Sequence, residues 1–349
     1  MSLPLRIVSG GLSLRISVGL WSFLLLLAMA VPGTAMPLRW PTPNPAWLQG
    51  EPPEAYLQPT ASGRLESALF GCVRNGGRRF HEGIDLKAIE HDRQRESTDP
   101  VFSVLPGVVV YINRVAGHSS YGIYVVIEHP DQQPALHTVY AHLRSVRSDL
   151  RPGQRVAAGE QIGVLGRTAG GYTIPRSRAH LHFEMGFRLT DDFQRWFDRQ
   201  GFGSPNRHGR FNGMNMLGFD PLDFYEQYRS GEVSSFRSYL QNRPVAYTLR
   251  ITTTRIPDFI RRYPTLLARP LPASGVQGWE IGFTWYGLPV RWYPLGARQG
   301  RREGLLELLM VDEDLLRANA CRQTVVWERG DAVIGPQTRR IMALLFGYE

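Results

Sequence analysis

Nine histidines stand in this 349-residue chain, and four of them fall into three short patterns able to hold a metal or move a proton. In His81-Glu82-Gly83-Ile84-Asp85, an extended backbone puts i, i+2 and i+4 on one face, so an imidazole and a carboxylate converge across a glycine. In His180-Leu181-His182 the two imidazoles share a face while Leu181 and Phe183 turn to the core. In Tyr140-Ala141-His142 the tyrosine and the histidine share a strand face, with Tyr140 read as a core residue. Two histidine nitrogens and one carboxylate oxygen form the open three-ligand set of a catalytic zinc site, with a position left for water or substrate. Other metal chemistries lack their signals: there is no H-E-x-x-H helix, no cysteine cluster and no calcium-loop run of acids. Each pattern alone is commonplace. Their joint occurrence on apolar, strand-like segments is what points to a site.

The positioning elements read as short strands. The runs 104–115, 121–129, 135–143 and 179–187 are rich in β-branched and aromatic residues and are separated by Gly, Pro, Asp and Ser. That texture predicts an antiparallel β domain. Residues 191–200 and 221–230 carry helical patterns, and 188–218 interrupts the strand texture as an insertion. Beyond about 245 follow a strand (YTLRITTT), a hairpin (GWEIGFTWYGLPVRWYPL) and two helical stretches, an α+β C-terminal region in which no motif carries chemistry. The predicted organisation is a signal peptide over 1–35, a Pro-rich leader over 36–60 that wraps the surface or hangs loose, a β-rich domain over 61–232, and a C-terminal region over 233–349.

The run FGCVRNGGRRFHEGIDLKA, then TVYAHL, then PGQRVAAGEQIGVLGRT leading to HLHFEM, resembles the LytM/lysostaphin-type zinc metallopeptidases, which cut the peptides of bacterial peptidoglycan. The resemblance covers about residues 65–187 and rejoins at Gly218-Phe219-Asp220-Pro221. It implies a mainly β, antiparallel catalytic domain, with zinc held by His81, Asp85 and His182, and His142 and His180 as the non-ligand catalytic histidines. Glu184, on the face of His180 and His182, is a candidate to orient a ligand. The loop AGGYTIPRSRAHLH is longer than is usual in the family. It and the insertion are expected to border the groove, the insertion as a flap over the metal. His91, His118, His129, His137 and His208 match no ligand position.

Composition bounds the setting. Hydrophobic residues make up 43% and charged residues 20%, which excludes a disordered or fibrous chain. Forty basic residues oppose 31 acids, and all but Lys87 are arginines. They are scattered rather than interleaved with aromatics on one element, which argues against a nucleic-acid partner and for an anionic wall or membrane surface beside the peptidoglycan peptides. Arg6 and Arg15 precede the apolar run 18–31, with Ala35 as a cleavage point, so the chain is expected to be exported to the periplasm or cell envelope, with an uncleaved anchor as the competing reading. Cleavage there removes two arginines and no acid, taking the net charge from +9 to +7. In an oxidising compartment Cys72 and Cys321 can pair, although nothing in the sequence says they are close. A non-catalytic wall-binding module is the alternative from another class. It loses ground because all five key positions are filled.

Overall fold

The computed structural model describes residues 36–297 and 302–348. The expected signal peptide lies outside the described residues. The described residues form one compact unit.

A hairpin of β1 (Gly71–Arg74) and β2 (Arg79–His81) leads into β3 (Ile84–Lys87). After β4 (Pro100–Phe102) come β5 (Gly107–Asn113), β6 (Ile123–His129) and β7 (Leu136–Leu143), then the short β8 (Ser145–Val146), β9 (Arg155–Val156) and β10 (Gln161–Val164). The long strand β11 (His180–Arg188) and β12 (Met216–Phe219) complete the main sheet, ordered β12-β11-β7-β6-β5-β9. The pairings are antiparallel, as the strand texture predicts. Strand β11 is the axis of the sheet: along one edge β3 pairs with His180–Phe183 and β12 with Met185–Arg188, while β7 runs along the other.

Alternation along β11 separates the two faces. Phe183 is fully buried against Tyr140, whose hydroxyl accepts a hydrogen bond from the Val104 amide at 3.0 Å, so Tyr140 is the core residue expected. The opposite face carries His180, His182 and Glu184.

Helix α1 (Phe193–Arg199) lies within the insertion and α2 (Pro221–Ser230) follows β12. Asp220 caps α2, accepting from the Leu222 amide at 3.0 Å, with Pro221 at the first turn where its missing N–H costs nothing. After α3 (Phe236–Gln241) the chain builds a four-stranded antiparallel sheet ordered β15-β14-β13-β16 from β13 (Tyr247–Thr252), β14 (Gly278–Phe283), β15 (Pro289–Leu295) and β16 (Leu306–Val311), with α4 (Asp258–Arg262) between β13 and β14. Helix α5 (Glu313–Ala318), the hairpin β17 (Val325–Glu328) and β18 (Asp331–Ile334), and α6 (Pro336–Phe346) close the chain. This region shares one hydrophobic core with the main sheet: Phe187 of β11 packs on Tyr263, and Phe70 on Tyr286. A disulfide joins Cys72 of β1 to Cys321 across 249 residues.

The leader is built into the fold. Trp40 and Trp47 stack at 4.7 Å and meet Tyr225 of α2 edge-on, while Tyr56 accepts from the Lys87 amide and Gln58 donates to the Asp85 carbonyl. The stretch runs through turns at 46–50 and a short 3-10 helix at Pro53–Ala55, and its aromatics anchor it.

The insertion 188–218 does not form the expected flap. It joins the far ends of β11 and β12, where Arg188 pairs with Met216, six residues and about 20 Å of strand from His182. Phe193 and Phe197 are buried, α1 lies against α6, and Phe211 packs on Tyr111 in a small second core over β5 to β7. The residues lining the groove described below include none of 188–218.

Candidate active site

His81 ends β2 and Asp85 sits in β3, with Glu82 and Gly83 as a bend between the two strands rather than one continuous strand. Gly83 is needed at the bend, because a Cβ there would lie 2.2 Å from the Phe183 carbonyl oxygen. The β3–β11 register then sets His182 directly opposite Asp85, the cross-strand position at which side chains on one face meet. The three donor atoms close a triangle: His81 Nε2 to His182 Nδ1 is 3.0 Å, His81 Nε2 to Asp85 Oδ1 is 3.2 Å, and His182 Nδ1 to Asp85 Oδ1 is 3.1 Å. Tetrahedral zinc with bonds near 2.0–2.1 Å needs its ligands about 3.3 Å apart, so the triangle fits that ion closely. All three residues are buried.

Surrounding hydrogen bonds orient the donors. A carbonyl can only accept, so His81 Nδ1–H donates to the Leu69 carbonyl at 2.7 Å and leaves Nε2 as the donor atom toward the cluster. His182 uses the other nitrogen: Nε2–H donates to Glu184 Oε1 at 2.8 Å, freeing Nδ1. Glu184 also accepts from the Tyr121 hydroxyl at 2.5 Å, and the Tyr121 ring stacks on His182. Glu184 therefore has the orienting position its strand face suggested. Burial raises the Asp85 carboxyl, but the charges of His180 and His81 and the histidine hydrogen bonds outweigh it and hold the group well below its usual range. Burial opposes charge on His182, yet Asp85 and Glu184 carry it up to about 10, so a metal binding at Nδ1 would displace a proton from it.

His142 reaches the same face by a different route. In a regular β7 it would share the core face of Tyr140, the arrangement expected from spacing. Instead the β6–β7 register slips between Ile123 and Val125, giving β7 an extra residue, and His142 takes a left-handed φ of 60°. This bulge turns its side chain over the sheet toward His180 and His182, with ring centroids at 4.9 and 5.9 Å. His142 Nδ1–H donates to the Thr168 carbonyl at 2.8 Å, and His180 Nδ1–H donates to the Arg178 carbonyl at 2.7 Å. Each imidazole is thereby held with Nε2 as its exchangeable nitrogen, and His180 Nε2 lies 3.5 Å from Asp85 Oδ2. Burial, first of all, lowers both: His142 well below its ordinary value, with the charges of His180 and His182 adding to the effect, and His180 less far because Asp85 pulls the other way.

The cluster lies in a groove of about 910 Å³ walled by the β1–β2 hairpin on one side and by Tyr172 and Arg178 on the other. Tyr172 stands edge-on to His142. Arg74, which no spacing argument selected, reaches in from the hairpin: its Nη2 is 2.8 Å from His81 Nε2 and also bonds Asp85 Oδ2.

One face of an antiparallel sheet thus carries a His-Asp-His donor triangle with two further imidazoles beside it, His142 from β7 and His180 from β11. Residues 79–192 match the sequence model of peptidase family M23, a span holding all five of these residues. The chain is 32% identical over 146 residues to the cell division protein DipM of Caulobacter vibrioides, a match covering 40% of this chain and about a fifth of that protein's length. Among solved structures, the catalytic domain of the antimicrobial peptidase lysostaphin from Staphylococcus simulans aligns at 20% identity over 52% of this chain and 96% of that one, with a TM-score of 0.30. A zinc-containing peptidase from Vibrio cholerae aligns at 27% identity over 37% of this chain and 35% of that one, with a TM-score of 0.26.

Proposed function

We propose that this protein is an exported zinc metallo-endopeptidase that hydrolyses peptide bonds of peptidoglycan, with His81, Asp85 and His182 as metal ligands and His142 and His180 as the proton-handling pair. The observation that carries the reading is the donor triangle with two Nε2 atoms poised beside it. Bound zinc would polarise a scissile carbonyl and bring the pKa of a coordinated water near 7.

The rest is done by the chain's own groups. No glutamate from a helix motif stands at the cluster, so proton transfer falls to imidazole, which titrates in the useful range. His142 and His180, tethered through Nδ1 to carbonyls, present Nε2 to the groove. The pair accepts the proton of the attacking water at an Nε2 and passes that same proton on to the leaving amine, so the site needs no proton of its own. Glu184, braced by Tyr121, keeps His182 in the tautomer that a metal requires. The groove over the cluster, lined in part by the β1–β2 hairpin, is the place for a peptide substrate. Export is supported by the Cys72–Cys321 disulfide, which suits an oxidising compartment. Among the described residues no helix is long and apolar enough to cross a membrane.

Purified sacculi incubated with the zinc-loaded protein provide the test. Mass spectrometry should find products with intact glycan bonds and new amino and carboxyl ends within the peptides, and a chelator should stop their release. Sacculi left intact by zinc-loaded, folded protein, or cut only at glycan bonds, would contradict the reading.

A further inference from the structure

A second cleft, of about 1370 Å³, lies between the insertion and the C-terminal helix. Helix α1 contributes Arg195 and Trp196 to its lining, α6 contributes Arg339 and Arg340, and the segment leading into α4 adds Arg255 and Arg261.

The acids present do not answer these charges. Asp258 already accepts from Arg262 at 2.9 Å and from the Asp191 amide at 2.6 Å. Asp192 lies 4.0 Å from Arg195, with both side chains largely in solvent, a pairing worth little. Arg255 is satisfied by neutral groups, the Phe346 carbonyl at 2.6 Å and the Tyr348 ring at 4.2 Å, which leaves its charge in place. Arg261 has no side-chain partner among the described residues.

Arg340 is the least expected. Its Nε is buried without a hydrogen-bond partner, and the charge of Glu82 offsets the burial only in part. Burial, and then the charge of Arg322, lower its pKa to about 10. A guanidinium held this way, with a buried Nε left unpaired, is costly to the fold, and an anion in the cleft would reduce that cost.

We infer that this cleft binds a segment of a linear phosphate polyanion. Its volume exceeds the roughly 300–1,000 Å³ of a site for one small ligand. Guanidinium forks suit oxyanions bidentately. Arginines from two separate helices favour phosphate over carboxylate, because tetrahedral oxygens can accept from both sides at once. The site is separate from the groove and independent of the peptidase reading.

The test uses the full chain and end-labelled inorganic polyphosphate, followed by fluorescence anisotropy over a salt series. Arg195→Gln, Arg261→Gln and Arg339→Gln combined should weaken binding about 30-fold or more and reduce the log–log salt slope by about 2–3. A control with the same charge change at exposed sites elsewhere, Arg93→Gln, Arg155→Gln and Arg237→Gln, should stay within about twofold of the parent. Melting curves of both triple variants should match the parent, showing that only the cleft has changed. Equal losses in the two triple variants, no polyphosphate binding by the parent, or polyglutamate bound as tightly as polyphosphate would each overturn the inference.

Discussion

His182 donates Nε2–H to Glu184, and that hold fixes Nδ1, 3.1 Å from Asp85 Oδ1, as the nitrogen that faces a metal. Glu184→Gln keeps the shape but can turn its amide N–H toward His182, which removes the preference for the Nδ1 lone pair. Metal affinity in a chelator competition should therefore fall about 10- to 100-fold, with Asp85 and His81 still in place. An unchanged affinity would mean that Glu184 only fills space. His81, Asp85, His180 and His182 stood out in the sequence as short patterns, although His81 and Asp85 meet across a bend and not along one strand as their spacing suggested. The orientation of His142 was not legible, since an even spacing from Tyr140 predicts a shared face and a bulge reverses it. Arg74 and Tyr121 were equally hidden: each reaches the cluster from an irregular or hairpin position, where no periodicity marks a side chain's direction.

At the scale of elements, the β1–β2 hairpin is the exposed side of the site, and the C-terminal region holds it down. Cys72 pairs across the hairpin with Phe80, next to His81, and is bonded to Cys321, while the Arg322 guanidinium lies 4.1 Å over the Phe80 ring. Cross-linking across 249 residues restricts the unfolded chain strongly. Cys72→Ser with Cys321→Ser should cost about 4–5 kcal/mol, measured by denaturant unfolding. A loss below about 1 kcal/mol would show that the aromatic contacts of Phe70 and Phe80 suffice alone. The strands and most helices follow from apolar alternation and from caps such as Asp220-Pro221. The insertion's path does not. Its aromatics signalled that it packs, but only the β11–β12 pairing shows that it leaves from the end of β11 remote from His182 and covers a neighbouring stretch of the sheet.

Over the whole molecule, stability should depend on pH through two histidines that no catalytic argument uses. Burial holds His129 down at about 4 and His137 at about 3, against an ordinary value of 6.5. The unfolded chain therefore binds more protons than the folded one between these limits. Stability is fully present above about pH 6.5 and is lost as pH falls toward 3, by up to about 1.4 kcal/mol per pH unit for each histidine. Urea midpoints recorded from pH 7.5 to 4.5 should decline, and His137→Leu should flatten the decline. A parent protein as stable at pH 5 as at pH 7 would contradict these buried, neutral states.

The central claim is a division of labour among five residues, and metal content measured beside peptide cleavage tests it most directly. After zinc reconstitution the parent should hold one zinc per chain. His81→Ala, Asp85→Ala and His182→Ala should lose metal and cleavage together, whereas His142→Ala and His180→Ala should keep the metal and lose cleavage by about a thousandfold. Zinc lost as readily from the second pair as from the first three, or cleavage retained by a folded variant without metal, would contradict the account.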